Sequence, residues 1–218
     1  MPISTAVDLT RVSRVVGYKL KPANFQQVTP YLPQRVIVFG EANTANQGTI
    51  DVTPYEFINS KEAGDKYGYG SPLHQIARIL RPLSGDPLGG VQTIAIPQAS
   101  DGGATEAVYT LGLAVATAVT ANATHKIRIN GRDGVDGQTY DFSVVTGELL
   151  ADVQDSIVAA INAVIGAPAV ASEATDNVAL TTKWGGATAV LTVSVDTQGE
   201  DAGIVYSEVT NVDGTGVI

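Results

Sequence analysis

The stretch Arg35-Val36-Ile37-Val38-Phe39-Gly40-Glu41-Ala42 decides the reading of the fold. It is a continuous β-branched and aromatic run closed by glycine. Such a run predicts a strand covered on both faces, as in a parallel sheet. A loop, Asn43 to Asp51, follows. Thr53-Pro54 then reads as a helix start, with Thr53 as N-cap, Pro54 in the first helical position and Glu56 completing a capping box. This helix is expected to fade before Gly64.

Tyr67-Gly68-Tyr69-Gly70-Ser71-Pro72 predicts a turn into a second helix, capped by Ser71 and opened by Pro72. Leu73, Ile76, Ala77, Leu80 and Leu83 recur at helical spacing and form one apolar stripe, which stops near Pro82. Val91-Gln92-Thr93-Ile94-Ala95-Ile96-Pro97 is the next buried strand. Strand, helices, strand is a crossover unit, so the two strands should be parallel.

Beyond Ser100-Asp101-Gly102-Gly103 the pattern changes to period two. Val108–Val119 reads as a strand. Lys126–Asn130 and Thr139–Val145 form a hairpin around Gly131-Arg132-Asp133-Gly134. Asp152 is placed as the cap of a helix bearing Val153, Ile157, Ile161 and Val164, ended by Gly166 and Pro168. Val178–Thr182 and Ala189–Val195 read as strands, with Lys183-Trp184-Gly185-Gly186 as the turn between them. Upstream, residues 1–33 hold no good helix. Lys21-Pro22 and Thr29-Pro30-Tyr31-Leu32-Pro33 favour an extended arm, with one strand near Val12–Tyr18.

The chain is 218 residues long, 44% hydrophobic, with 23 glycines and no cysteine. It is too apolar for intrinsic disorder and has no run of about 20 apolar residues to span a bilayer, and Met1 to Val15 does not show the apolar stretch expected of a secretory signal. Disulfides and thiolate metal sites are excluded. The net charge of −9 is unevenly divided. Residues 1–97 carry nine basic and seven acidic side chains, net +2. Residues 98–218 carry four and fifteen, net −11. That step points to two bodies with different surroundings, and its sign argues against a nucleic-acid partner.

No dinucleotide or phosphate-loop fingerprint follows Val36–Gly40. Tyr67-Gly68-Tyr69-Gly70-Ser71 lacks the nucleophile-elbow pattern, and its glycines read as turn formers. A hydrolytic site would need Ser71, or another serine, placed with His74 by an orienting carboxylate, and capping is the simpler role for Ser71. His74 and His125 are the only histidines and lack metal-ligand spacing. Asn130–Gly137 resembles a calcium loop loosely, but strands flank it and a hairpin loop is favoured. Trp184 is either a turn aromatic over the core or a carbohydrate platform.

Several stretches, taken in order, resemble the tail sheath proteins of contractile-tailed bacteriophages, especially the Mu-like branch. They are Arg35–Ala42, Tyr67–Arg78, Thr93–Pro97, Ile127–Arg132, Ala151–Asn162 with its Ala-Ala-Ile-Asn, and Val178–Lys183. The likeness covers about residues 10–205 and lies in motif order. It implies an α+β / α/β chain: part of a subtilisin-like α/β domain, with parallel strands and helices, plus an inserted β-rich domain with one helix. The implied divisions are an extended N-terminal arm at 1–34, part of the core sheath domain at 35–100, the inserted outer domain at 101–200, and a return segment at 201–218 toward a C-terminal part beyond this chain.

The resemblance implies a structural, non-enzymatic virion subunit without cofactor or metal. Such subunits assemble in the host cytoplasm, polymerise around the tail tube and contract to drive genome ejection through the host envelope. Its implied partners are further copies of itself, the tube protein, and the baseplate and tail terminator proteins, with no nucleic acid and no membrane insertion. The arm residues Arg11, Val12, Arg14, Val15, Val16, Tyr18 and Lys19 are the implied inter-subunit contacts. The alternative is a β-rich surface or glycan-binding module of a phage particle.

Overall fold

The computed structural model describes residues 34–48, 50, 53–131 and 137–217. The proposed arm strand and its residues Arg11 to Lys19 lie outside them, as does most of the 131–134 turn. The described chain is mixed α+β, with three sheets, four helices and two separate hydrophobic cores.

The first lobe holds β1 (Arg35–Glu41), α1 (Thr44–Gln47), β2 (Tyr55–Glu56), α2 (Ser60–Tyr67), α3 (Pro72–Leu80) and β3 (Gln92–Gln98). Its sheet has the order β1-β3-β2. β1 and β3 are parallel, with Ile37 opposite Ile94 and Phe39 opposite Ile96, as the crossover pattern requires. α3 begins as its sequence predicts: Ser71 Oγ accepts the His74 N–H at 3.1 Å and Pro72 opens the helix. Leu73 and Ala77 are buried against the sheet, but Leu83 lies beyond the helix and is 75% exposed.

The helix expected from Thr53 does not form. Tyr55 and Glu56 instead pair antiparallel with Ala95 and Ile94. The helix starts later, at Ser60, where Asn59 Oδ1 accepts the Glu62 N–H at 2.9 Å. Glu62 in turn accepts the Ile58 N–H at 2.9 Å. The cap chemistry is the expected kind, shifted to Asn59-Ser60-Lys61-Glu62.

The second lobe is a β-sandwich closed by one helix. One sheet, in the order β10-β4-β8-β7, contains β4 (Glu106–Val115), β7 (Ala169–Ala174), β8 (Asn177–Gly185) and β10 (Ile204–Val212). The other, β6-β5-β9, contains β5 (Ala123–Gly131), β6 (Gln138–Val144) and β9 (Leu191–Asp196). Every pairing in both is antiparallel. The alternation of β5 is clean: His125, Ile127 and Ile129 point inward, and Thr124 and Arg128 point out. α4 (Leu150–Asn162) packs against β6 and β7 and buries Val153, Ile157 and Ile161. Each such side chain contributes about 1.5–3 kcal/mol by leaving water, enough for α4 to hold the sandwich shut.

Two details differ from expectation. Asp152 is not the N-cap; it sits one turn in and accepts the Leu149 N–H through Oδ2 at 2.9 Å. The segment 201–218, expected to lead away, contributes β10, which pairs with β4.

Candidate interaction surface

β1 was expected to be covered on both sides, and it is covered on one. Val38 and Gly40 face α3, and Gly40 lies so close that a Cβ there would sit 3.3 Å from the Leu73 side chain. Ile37 and Phe39 point the other way and are 53% and 58% exposed. Register puts Ile94, Ile96 and Glu56 on that same open side, with Arg35 at its edge. Among the described residues, helices therefore pack on one face of this sheet only. The second lobe reaches just one end of the open face, where Glu41 is buried and its Oε1 accepts the Thr188 hydroxyl at 2.6 Å.

The joint between the lobes is polar and built on main-chain carbonyls. Gln75 Nε2 donates to the Gly166 carbonyl at 2.7 Å, and Gln138 Nε2 donates to the same oxygen at 3.1 Å. Lys183 Nζ reaches across to the Tyr69 carbonyl at 3.4 Å while also donating to the Ile165 carbonyl of its own lobe at 3.1 Å, and burial lowers the pKa of its ammonium. Gly70 has φ +87°, and a Cβ there would lie 2.1 Å from the Ala167 carbonyl oxygen.

His74 closes this joint. Its Nδ1 accepts the Gly70 N–H at 3.1 Å, and its ring meets the edge of Tyr69 at 5.0 Å. Burial, with the nearby Arg78 and Lys183 charges adding to it, pushes its pKa down to about 4. A histidine whose folded pKa is depressed contributes fully above its unfolded value, and that contribution is lost as pH falls toward the folded one. The wild-type chain should therefore lose about 2–3 kcal/mol through His74 between about pH 6.5 and 4.5. Urea unfolding at the two pH values, compared with His74→Gln, checks this. The variant should shed that part of the acid loss, and an unchanged loss would contradict it.

The Ser71–His74 pair is not arranged as nucleophile and base. The Ser71 hydroxyl is fully buried and engaged as a cap, while the imidazole Nδ1 is held by Gly70. His125 is a core residue with no exposure. Its Nδ1 is 2.7 Å from the Tyr206 hydroxyl, and its ring meets Phe142 and Tyr206 edge-on. Trp184 is also fully buried, within β8 rather than in a turn, so it has no face to offer a sugar. Asn130, at the start of the loosely calcium-like loop, accepts from Arg128 Nε at 3.1 Å. Sequence reasoning missed the joint altogether, because glutamines and a lysine that bind carbonyls leave no periodic signal.

No protein-family model matches the chain, and no curated protein is detectably similar to it.

Proposed function

We propose that the chain is a structural subunit of a contractile phage tail sheath, and that its α/β lobe is part of a subtilisin-like sheath domain. The observation that carries this reading is the bare side of the β1-β3-β2 sheet. A parallel pair with helices on one face, and on the other Ile37 and Phe39 exposed beside the half-buried Ile94 and Ile96, is an incomplete layer among the described residues. Its completion by neighbouring chain is what an assembling subunit needs. The order of sequence motifs supports the same reading, as does the second lobe, a helix-closed β module attached to the α/β lobe.

In this account the chain acts mechanically. Copies polymerise around a tail tube, between baseplate and terminator proteins, and rigid-body movement between subunits repacks their interfaces during contraction. The experiment is electron microscopy of the concentrated chain beside Phe39→Asp. Because Phe39 is more than half exposed, its loss should leave the fold standing within about 1 kcal/mol while removing assembly.

A further inference from the structure

The outward faces of the two sandwich sheets differ sharply. On the β6-β5-β9 sheet, register sets Lys126 between Asp141 and Asp196, and Arg128 between Thr139 and Ser194. These side chains line a groove of about 620 Å³. On the β10-β4-β8-β7 sheet, the outward positions are small, β-branched and uncharged. Val108, Thr110, Val170, Ala179, Val205 and Val209 represent it, with Val205 65% and Val209 52% exposed. Among the described residues, the charges that project from it are Glu106 and Lys183, one of each sign, at the end beside α1. Yet residues 98–218 hold fifteen acidic side chains. A soluble surface with that charge would normally scatter it over every face.

Both edges of this sheet are guarded against strand addition. Val209 is the bulged residue of β10, where the register slips between Glu208 and Thr210. It lies over Gly112, where a Cβ would meet Val209 at 2.7 Å and the Ser207 hydroxyl at 2.6 Å. A bulge in an edge strand discourages strand addition there. The opposite edge, β7, is occupied by the Asn162 amide. That amide donates to the Ala171 carbonyl at 2.8 Å and accepts the Ala171 N–H at 3.0 Å. A partner reaching this sheet must therefore come to its face.

We infer that this uncharged face is a self-association surface, which takes the same face of a second copy of the chain in twofold, sheet-on-sheet packing. The charge distribution selects that occupant. A second copy brings its own lobe of net −11, and two such bodies approach with least repulsion where both lack charge. An outward sheet face of valine, threonine and alanine is the kind of surface that face-to-face sheet packing buries. Four strands about 4.8 Å apart and about seven residues long present roughly 440 Å² per copy. About 900 Å² in total falls below the roughly 1,200 Å² of stable complexes, so the contact is weak and reversible. Because the bodies repel, added salt should strengthen it, the reverse of a charge-paired interface.

The inference stands apart from the sheath reading, which rests on the other lobe. Its test uses the absence of cysteine: Thr110→Cys, on the central strand β4, is a unique thiol near the proposed twofold axis. Ser194→Cys, on the charged sheet, is the control. Mild oxidation should give at least tenfold more disulfide-linked dimer from Thr110→Cys than from Ser194→Cys. The excess should grow with protein concentration and between 20 and 500 mM salt. Sedimentation of the cysteine-free chain should show its mean mass rising from 22.5 kDa under the same conditions. Equal cross-linking at both sites, association that weakens with salt, or a monomer throughout would overturn it.

Discussion

Gly70→Ala is expected to destabilise the chain by about 3–5 kcal/mol, an effect at the high end for single substitutions. Two costs combine. The φ of +87° is left-handed, which a residue with a Cβ adopts at a cost of about 1–2 kcal/mol. The new Cβ would also stand 2.1 Å from the Ala167 carbonyl oxygen, which is main chain and has little freedom to yield. The turn carrying that oxygen is tied by the Ala167 N–H to Val164 and, through Gly166, to Gln75 and Gln138. Relief requires the two lobes to part, and the Gln75–Gly166 and Lys183–Tyr69 bonds then go unmade. Gly85→Ala is the internal control. Its φ is +89°, but nothing lies within 4 Å of the added Cβ, so it should cost only the backbone part. Equal losses in the two variants, measured by urea unfolding, would show that the joint is loose.

Trp184→Ala is expected to cost about 3–5 kcal/mol, the usual loss when a fully buried large aromatic is deleted. Trp184 has no exposure and belongs to the main core of the sandwich, at the end of β8. Its indole N–H has no partner among the described residues, which burdens the native state. Trp184→Phe keeps most of the apolar volume and removes that donor, so it should cost clearly less than the alanine variant. Trp184 is the chain's only tryptophan. Its fluorescence should therefore be blue-shifted in the native protein and report unfolding of this lobe directly. A loss below about 1 kcal/mol for Trp184→Ala would place the ring at the surface and restore the sugar-platform reading.

Much of the fold was legible where local chemistry and burial agree. Ser71-Pro72 followed by Leu73 and Ala77 defines α3, and the alternation around Lys126–Asn130 defines β5. Thr53-Pro54-Tyr55-Glu56 misled because two residues of pairing with β3 outweighed a good helix start; the cap that operates lies six residues on, at Asn59. β7 was missed because Ala-Val-Ala-Ser-Glu-Ala is too dilute to show a period. β10 was missed because its bulge at Val209 breaks the alternation that would have marked it. Ile37 and Phe39 belong to a run that is apolar at every position, and such a run does not say which face will stay bare.

That bare face is the centre of the functional account, and direct imaging tests it. Electron micrographs of the concentrated chain are expected to show rings or tubules of regular repeat, absent in Phe39→Asp although that variant remains folded by circular dichroism. Dispersed single particles of the wild-type chain at every concentration, or unaltered rings in Phe39→Asp, would contradict it.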